Sequence, residues 1–220
     1  MNRIWATAPL TGLVVLFACA SLTSASICDS AAQRASSATG VPLDVMQTIT
    51  RLETGRGKAA EPWPWTVNHA GNGSWFPSED EARSFVFSKI KQGESNLDIG
   101  CFQINYRWHA DGFGSLDEMF NPERNALYAA HFLIELHREF GSWIEAAGAY
   151  HSRTREHSER YKAKFKNLRG QLDEFLPNHT DDPPPADVVS WGQSGSSYRG
   201  SLFLSEASKS RPFIALRKAN

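Results

Sequence analysis

The sequence predicts a mainly α-helical domain that carries one short β-hairpin and ends in a tail without regular structure. Between Asp29 and Leu176, apolar residues recur mostly at helical spacing, and Ser, Asn, Gly and Pro punctuate the segments. Glu61 to Ser78 breaks that pattern, because Pro, Gly and Trp crowd around a Trp65-Thr66-Val67-Asn68 run. After Leu176-Pro177 come Pro183-Pro184-Pro185 and a Ser/Gly-rich run from Trp191 to Ser201. Such a tail cannot bury enough apolar area to offset the entropy of ordering it.

Each element has a local reason. Asp29 can cap a first helix running through Ala38, closed by Gly40. Pro42 suits the first turn of a second helix that reaches Thr54, with Gly55 just beyond. The hairpin turns between His69 and Gly73. Ser78 and Glu81 form a capping box for a helix through Gln92. Asn121-Pro122 opens a long helix with an apolar stripe of Leu127, Ala130, Ile134 and Leu136. Two more helices are expected at Ser142 to His151 and Arg155 to Phe175, and no internal repeat is visible.

Composition excludes several classes. The chain has 220 residues, and its 23 basic against 24 acidic residues argue against a nucleic-acid partner. No apolar run reaches the roughly 18 residues needed to span a bilayer. At the N-terminus, Arg3 precedes the apolar stretch Leu10 to Leu22, and Thr23-Ser24-Ala25 offers a small-residue cleavage site. This order predicts an export signal over residues 1–25, a domain over 26–176 and a tail over 177–220. Phe17 is bulky for a lipoprotein cleavage box, which argues against anchoring at Cys19. Export leaves Cys28 and Cys101, which in an oxidising compartment either pair or stay as two buried thiols. The seven histidines are scattered and no HExxH or CxxC is present, so neither a metal nor a cofactor is expected.

Three segments could carry chemistry. Glu53 shares a helix face with Met46 and Ile49, at the end of the helix where the dipole disfavours an anion. Burial and dipole would both raise its pKa, as a general acid requires. The bland alternative turns Glu53 outward or pairs it with Arg51 or Arg56. Gly100 to Asn105 alternates Gln103 and Asn105 with apolar residues, a pattern able to line a sugar cleft but common in polar loops. Ala146 to Ser152 brings small residues, for close packing, just before Tyr150, which either offers a phenol near the site or is a buried structural tyrosine. Trp63, Trp65, Trp75 and Trp108 could stack on sugar rings or fill the core.

In order and spacing, Glu53-Thr54-Gly55, Gly100 to Asn105, Ala149-Tyr150-His151 and Tyr161 resemble the motifs of the soluble lytic transglycosylases. That family pattern is Glu-Ser-Gly, Gly-Leu-Met-Gln-Ile, Ala-Tyr-Asn and a later Tyr. Three departures stand out: Thr54 for Ser, Cys101-Phe102 for Leu-Met, and His151 for Asn. The resemblance spans about residues 30 to 170 and implies a lysozyme-like α+β fold, a helical bundle around a sugar cleft. It implies Glu53 as acid and base and Gln103, Asn105, Tyr150 and Tyr161 as substrate-binding residues, with Tyr150 also positioning the carboxyl.

The implied substrate is the glycan of peptidoglycan, cleaved by a periplasmic monomer to 1,6-anhydromuramic acid ends. A hydrolytic muramidase on the same fold and a non-catalytic wall-binding protein remain alternatives. No acid lies between Pro62 and Ser78, so Glu79 and Asp98 are the nearest candidates for a second carboxylate. A flagellar or secretion-system assembly partner, recruited through the tail, is the further expectation.

Overall fold

The computed structural model describes residues 26–173. The expected export signal, the boundary at Leu176-Pro177 and the tail lie outside the described residues. Helix α1 (Ile27–Thr39) is capped by Ser26, whose Oγ accepts the Asp29 amide at 3.1 Å. The cap is therefore Ser26 rather than Asp29. Its short hydroxyl reaches the orphan amide from the residue before the helix, and this frees the Asp29 carboxylate to hold Arg51. Helix α2 (Leu43–Thr54) starts directly after Pro42 and stops at Gly55. A Cβ at Gly55 would lie 2.4 Å from the Arg51 carbonyl, so only glycine lets the chain turn away here.

Strands β1 (Thr66–His69) and β2 (Asn72–Trp75) form the expected hairpin. The capping box of Ser78 and Glu81 opens α3 (Glu79–Lys91). The sheet is larger than expected. Strands β3 (Leu97–Ile99) and β4 (Ile104–Asn105) extend the hairpin to four antiparallel strands in the order β2-β1-β3-β4. Runs of three and two residues carry no readable period, and their pairing is decided by tertiary contact.

Three short turns of helix follow: α4 (Tyr106–His109), a 3-10 turn at Ala110–Gly112, and α5 (Leu116–Phe120). Asn121 caps the long α6 (Pro122–Phe140), accepting the amides of Glu123 and Arg124. Its buried stripe is Ala126, Ala129, Ala130, Leu133, Ile134 and Leu136, whereas Leu127 is only half-buried. Helices α7 (Trp143–His151) and α8 (Arg155–Asp173) complete the bundle. Helix α1 packs on α6 and α2, α6 on α7, α7 on α8, and α8 back on α2. No helix among the described residues is long and apolar enough to cross a membrane.

Two features hold this ring to the sheet. Cys28 of α1 is bonded to Cys101 in the turn after β3, with a Cα–Cα distance of 5.5 Å. Asn125 of α6 is fully buried beside the same turn: its Oδ1 accepts Phe102 N, and its Nδ2 donates to the carbonyls of Ile99 and Met119. Within the ring, Gly148 sets the approach of α7 and α8, since a Cβ there would meet Ser158 Oγ at 2.5 Å and Lys162 Cγ at 2.7 Å.

These contacts make two stability predictions. Reducing the Cys28–Cys101 bridge, which closes a loop of 73 residues, should cost about 4 kcal/mol in denaturant titration. Asn125→Ala leaves an amide and two carbonyls unsatisfied and should cost about 3 kcal/mol in the same measurement.

Candidate functional site

The antiparallel pairing of α2 and α8 builds the site. Near the start of α2, the buried Asp44 binds Arg169 near the end of α8. Near the end of α2, Glu53 meets Tyr161 near the start of α8: the Tyr161 hydroxyl donates to Glu53 Oε1 at 2.7 Å. Glu53 is 4% exposed, and its other oxygen, Oε2, is buried with no hydrogen-bond partner. The cations that could have neutralised it are engaged elsewhere. Arg51 binds Asp29, and the guanidinium of Arg56 lies 3.5 Å above the Trp63 ring.

Removal from water raises the Glu53 pKa from the usual 4.5 to about 8, with a smaller upward push from the Asp98 charge. The Tyr161 bond and the charge of Lys164 oppose that shift without cancelling it. Near neutral pH the carboxyl is therefore protonated. Because Oε1 accepts from Tyr161, the proton resides on Oε2. Burial also raises the Tyr161 phenol well above its ordinary value, so it stays a donor. His151, standing where the family pattern has Asn, stacks on Tyr161 with ring centroids 4.4 Å apart and 12° between planes.

Tyr150 lies close enough to Glu53 for the two charges to be felt, and its hydroxyl is committed to the backbone. Its hydroxyl donates to Phe102 O at 2.7 Å, and its ring packs against Phe132. The hydrogen bond to the Glu53 carboxyl comes from Tyr161, on the helix that runs antiparallel to α2. Tyr150 clamps the turn between β3 and β4. Thr50 clamps the same turn from α2, donating to Cys101 O at 2.7 Å.

Gln103 and Asn105 both lie beneath the surface, at 1% and 0% exposure. Gln103 Nε2 donates to the carbonyls of Thr66 and Gly100, which holds the residue in a left-handed conformation with φ 48°. Asn105 Nδ2 donates to Asp98 Oδ1 at 2.6 Å and to Asn96 Oδ1 at 3.0 Å. Both amide nitrogens are thus engaged inside the protein, and Asn105 Oδ1 is buried with no hydrogen-bond partner.

Asp98 is the centre of a polar row that the sequence did not reveal. Register places Asn68, Asp98 and Asn105 opposite one another on β1, β3 and β4, so their side chains share a face. Asn68 Nδ2 donates to Asp98 Oδ2 at 2.6 Å. Asp98 is 1% exposed, and burial raises its pKa to about 7 against the pull of these two amides. Glu79, the other candidate acid, stays near the surface and pairs with Arg83 of its own helix.

Tryptophans flank the end of α2. Trp75 Nε1 donates to Thr54 O at 3.0 Å, Trp63 N to Thr54 Oγ1 at 3.3 Å, and Trp63 Nε1 to Phe76 O at 2.7 Å. Trp75 is still 48% exposed, while Trp65 packs against the core. Among the described residues, no group of three His, Cys, Asp or Glu side chains is arranged to hold a metal ion.

No curated protein and no solved structure matches the chain. The matched family segment contains Asp98, Gln103, Asn105, Tyr150 and Tyr161, while Glu53 and the β1–β2 hairpin precede it and are tied to it by the contacts above. Residues 78–171 match the family model of the transglycosylase SLT domain, the same family that the ordered motifs resemble.

Proposed function

We propose that this protein is an exported lytic transglycosylase that cleaves the β-1,4 bond between N-acetylmuramic acid and N-acetylglucosamine in peptidoglycan. The observation that carries the reading is Glu53: a buried carboxyl, protonated near neutrality, with Tyr161 on one oxygen and no partner on the other. The SLT match over 78–171 supports the substrate class. In this scheme Oε2–H protonates the glycosidic oxygen as the bond to C1 breaks. The substrate's own N-acetyl oxygen then bonds to C1. Glu53, now a carboxylate, removes the proton of the C6 hydroxyl, and O6 displaces the N-acetyl oxygen to close the 1,6-anhydro ring. An attacking group already in the sugar has a large effective concentration and outcompetes water.

Tyr161 supports both halves of this cycle. Its bond fixes the carboxyl rotamer while Glu53 is an acid, and it stabilises the carboxylate once the proton has left. The His151 stack holds the phenol for that purpose. Periplasmic action as a monomer, and recruitment of the enzyme to a flagellar or secretion-system assembly through its tail, complete the proposal.

A hydrolytic muramidase is the second reading, and Asp98 is what favours it. A second buried carboxyl whose charge is felt by Glu53 could assist water or the sugar cation. The two readings differ in product. Digestion of purified sacculi should yield 1,6-anhydro ends, one water lighter than hydrolytic ends by mass spectrometry. Spectra dominated by reducing ends would move the assignment to the muramidase.

The role of Glu53 makes two further predictions. Glu53→Gln should slow cleavage by at least about a hundredfold, and wild-type activity should fall above pH 8 as the acid loses its proton. The stability effect has a definite sign. In the wild type, folding favours the protonated carboxyl, so stability is full below pH 4.5 and is lost as pH rises through about 8. The amide does not titrate. Relative to wild type, Glu53→Gln should therefore melt higher at pH 8.5 than at pH 4, and equal differences at both pH values would refute the burial argument.

A further inference from the structure

Arg56 is a cation whose position the fold controls at two points. Its amide donates to Glu61 O at 2.8 Å, and its carbonyl accepts Glu61 N at 3.1 Å, so the 56–61 loop is closed on itself. Its guanidinium carbon then lies over the Trp63 indole, 3.5 Å from the ring centroid. Trp63 is itself fixed by two hydrogen bonds, one to Phe76 O and one to Thr54 Oγ1. Thr54 adjoins Glu53 in sequence, and its carbonyl also anchors the exposed Trp75. The cation is therefore held one short loop from the acid, and Trp75, tied to the same Thr54, is 48% exposed.

Among the described residues Arg56 has no carboxylate within ion-pairing distance. The other charges of its loop are Lys58 and Glu61, both exposed. Lys164 of α8 is exposed as well, and its charge reaches Glu53 from the opposite helix. A guanidinium stacked on an indole keeps its in-plane N–H donors directed outward, which is the arrangement that binds a carboxylate in two-point fashion. The stack also limits the rotamer entropy lost on binding.

Resting on the transglycosylase reading, we propose that Arg56 on Trp63 docks a free carboxylate of the stem peptide, making the enzyme select glycan strands with charged peptides. In an intact strand the lactyl group of muramic acid is tied up in an amide bond. The free carboxylates near the scissile bond therefore belong to the peptide. Trp75 would hold an adjoining sugar ring while Arg56 reads the peptide beside it.

The test compares soluble peptide-bearing strands with the same strands after their carboxylates are converted to carboxamides. For the wild type, amidation should raise KM about fivefold with kcat unchanged, the size expected for one partly exposed charge-assisted contact. Arg56→Ala should show the raised KM on native strands and no further response to amidation. Arg56→Lys, which keeps the charge but loses the planar fork, should recover part of the difference. Equal KM values for wild type on both strands would overturn the proposal, as would an Arg56→Ala variant that still discriminates. A wild type that cleaves neither strand would defeat the transglycosylase reading and this inference with it, whereas cleavage without discrimination defeats the inference alone.

Discussion

The hydrogen bond from Tyr161 to Glu53 is the contact on which the rest of this structure depends. A carboxyl buried without a cation is tolerable only if it stays protonated and if at least one oxygen is satisfied. Tyr161 satisfies Oε1, and its own raised pKa keeps it a donor. To deliver that phenol, α8 must run antiparallel to α2 and approach closely. Gly148 permits the approach from the α7 side, the bridge from Lys162 to Glu145 and Glu159 fixes it, and the Arg169–Asp44 pair anchors the far end. The cost of holding a proton on Glu53 is therefore distributed over a whole helix pair.

The turn between β3 and β4 is held with comparable care. Thr50 reaches it from α2, Cys28 from α1, Asn125 from α6 and Tyr150 from α7. Every one of these contacts ends on the backbone or side chain of Gly100 to Asn105 or its immediate neighbours. Such fixing is what allows Gln103 to remain left-handed and keeps Asp98 in line with its two asparagines. A loop held from four helices cannot drift relative to the acid on one of them.

Local signals made the helices legible. Ser78 with Glu81, Asn121 with Pro122, and Gly40 and Gly55 past their helix ends mark boundaries through short-range hydrogen bonding and sterics, which a sequence displays directly. Glu53 stood out because Met46 and Ile49 share its face. What stayed hidden depends on contacts between distant segments. Neither β3 nor β4 is long enough to show a period, so the row Asn68–Asp98–Asn105 could not be assembled from the sequence. That Tyr161 bonds Glu53 depends on which helix lies against α2, a question of packing rather than of motif. Asn125 gave no signal at all, because an asparagine inside an amphipathic helix reads as a surface residue.

Asp98 and Glu53 are two enclosed acids held in different surroundings. Each is fully enclosed and each has a raised pKa, yet their surroundings differ. Asp98 receives two amide donors, one on each oxygen, which favours its ionised form against the cost of burial. Glu53 receives one phenol and leaves an oxygen bare, which favours its protonated form. The Asp98 charge adds to burial in making the proton on Glu53 harder to remove. The polar row on the sheet acts, through space, to keep the helix-borne carboxyl an acid.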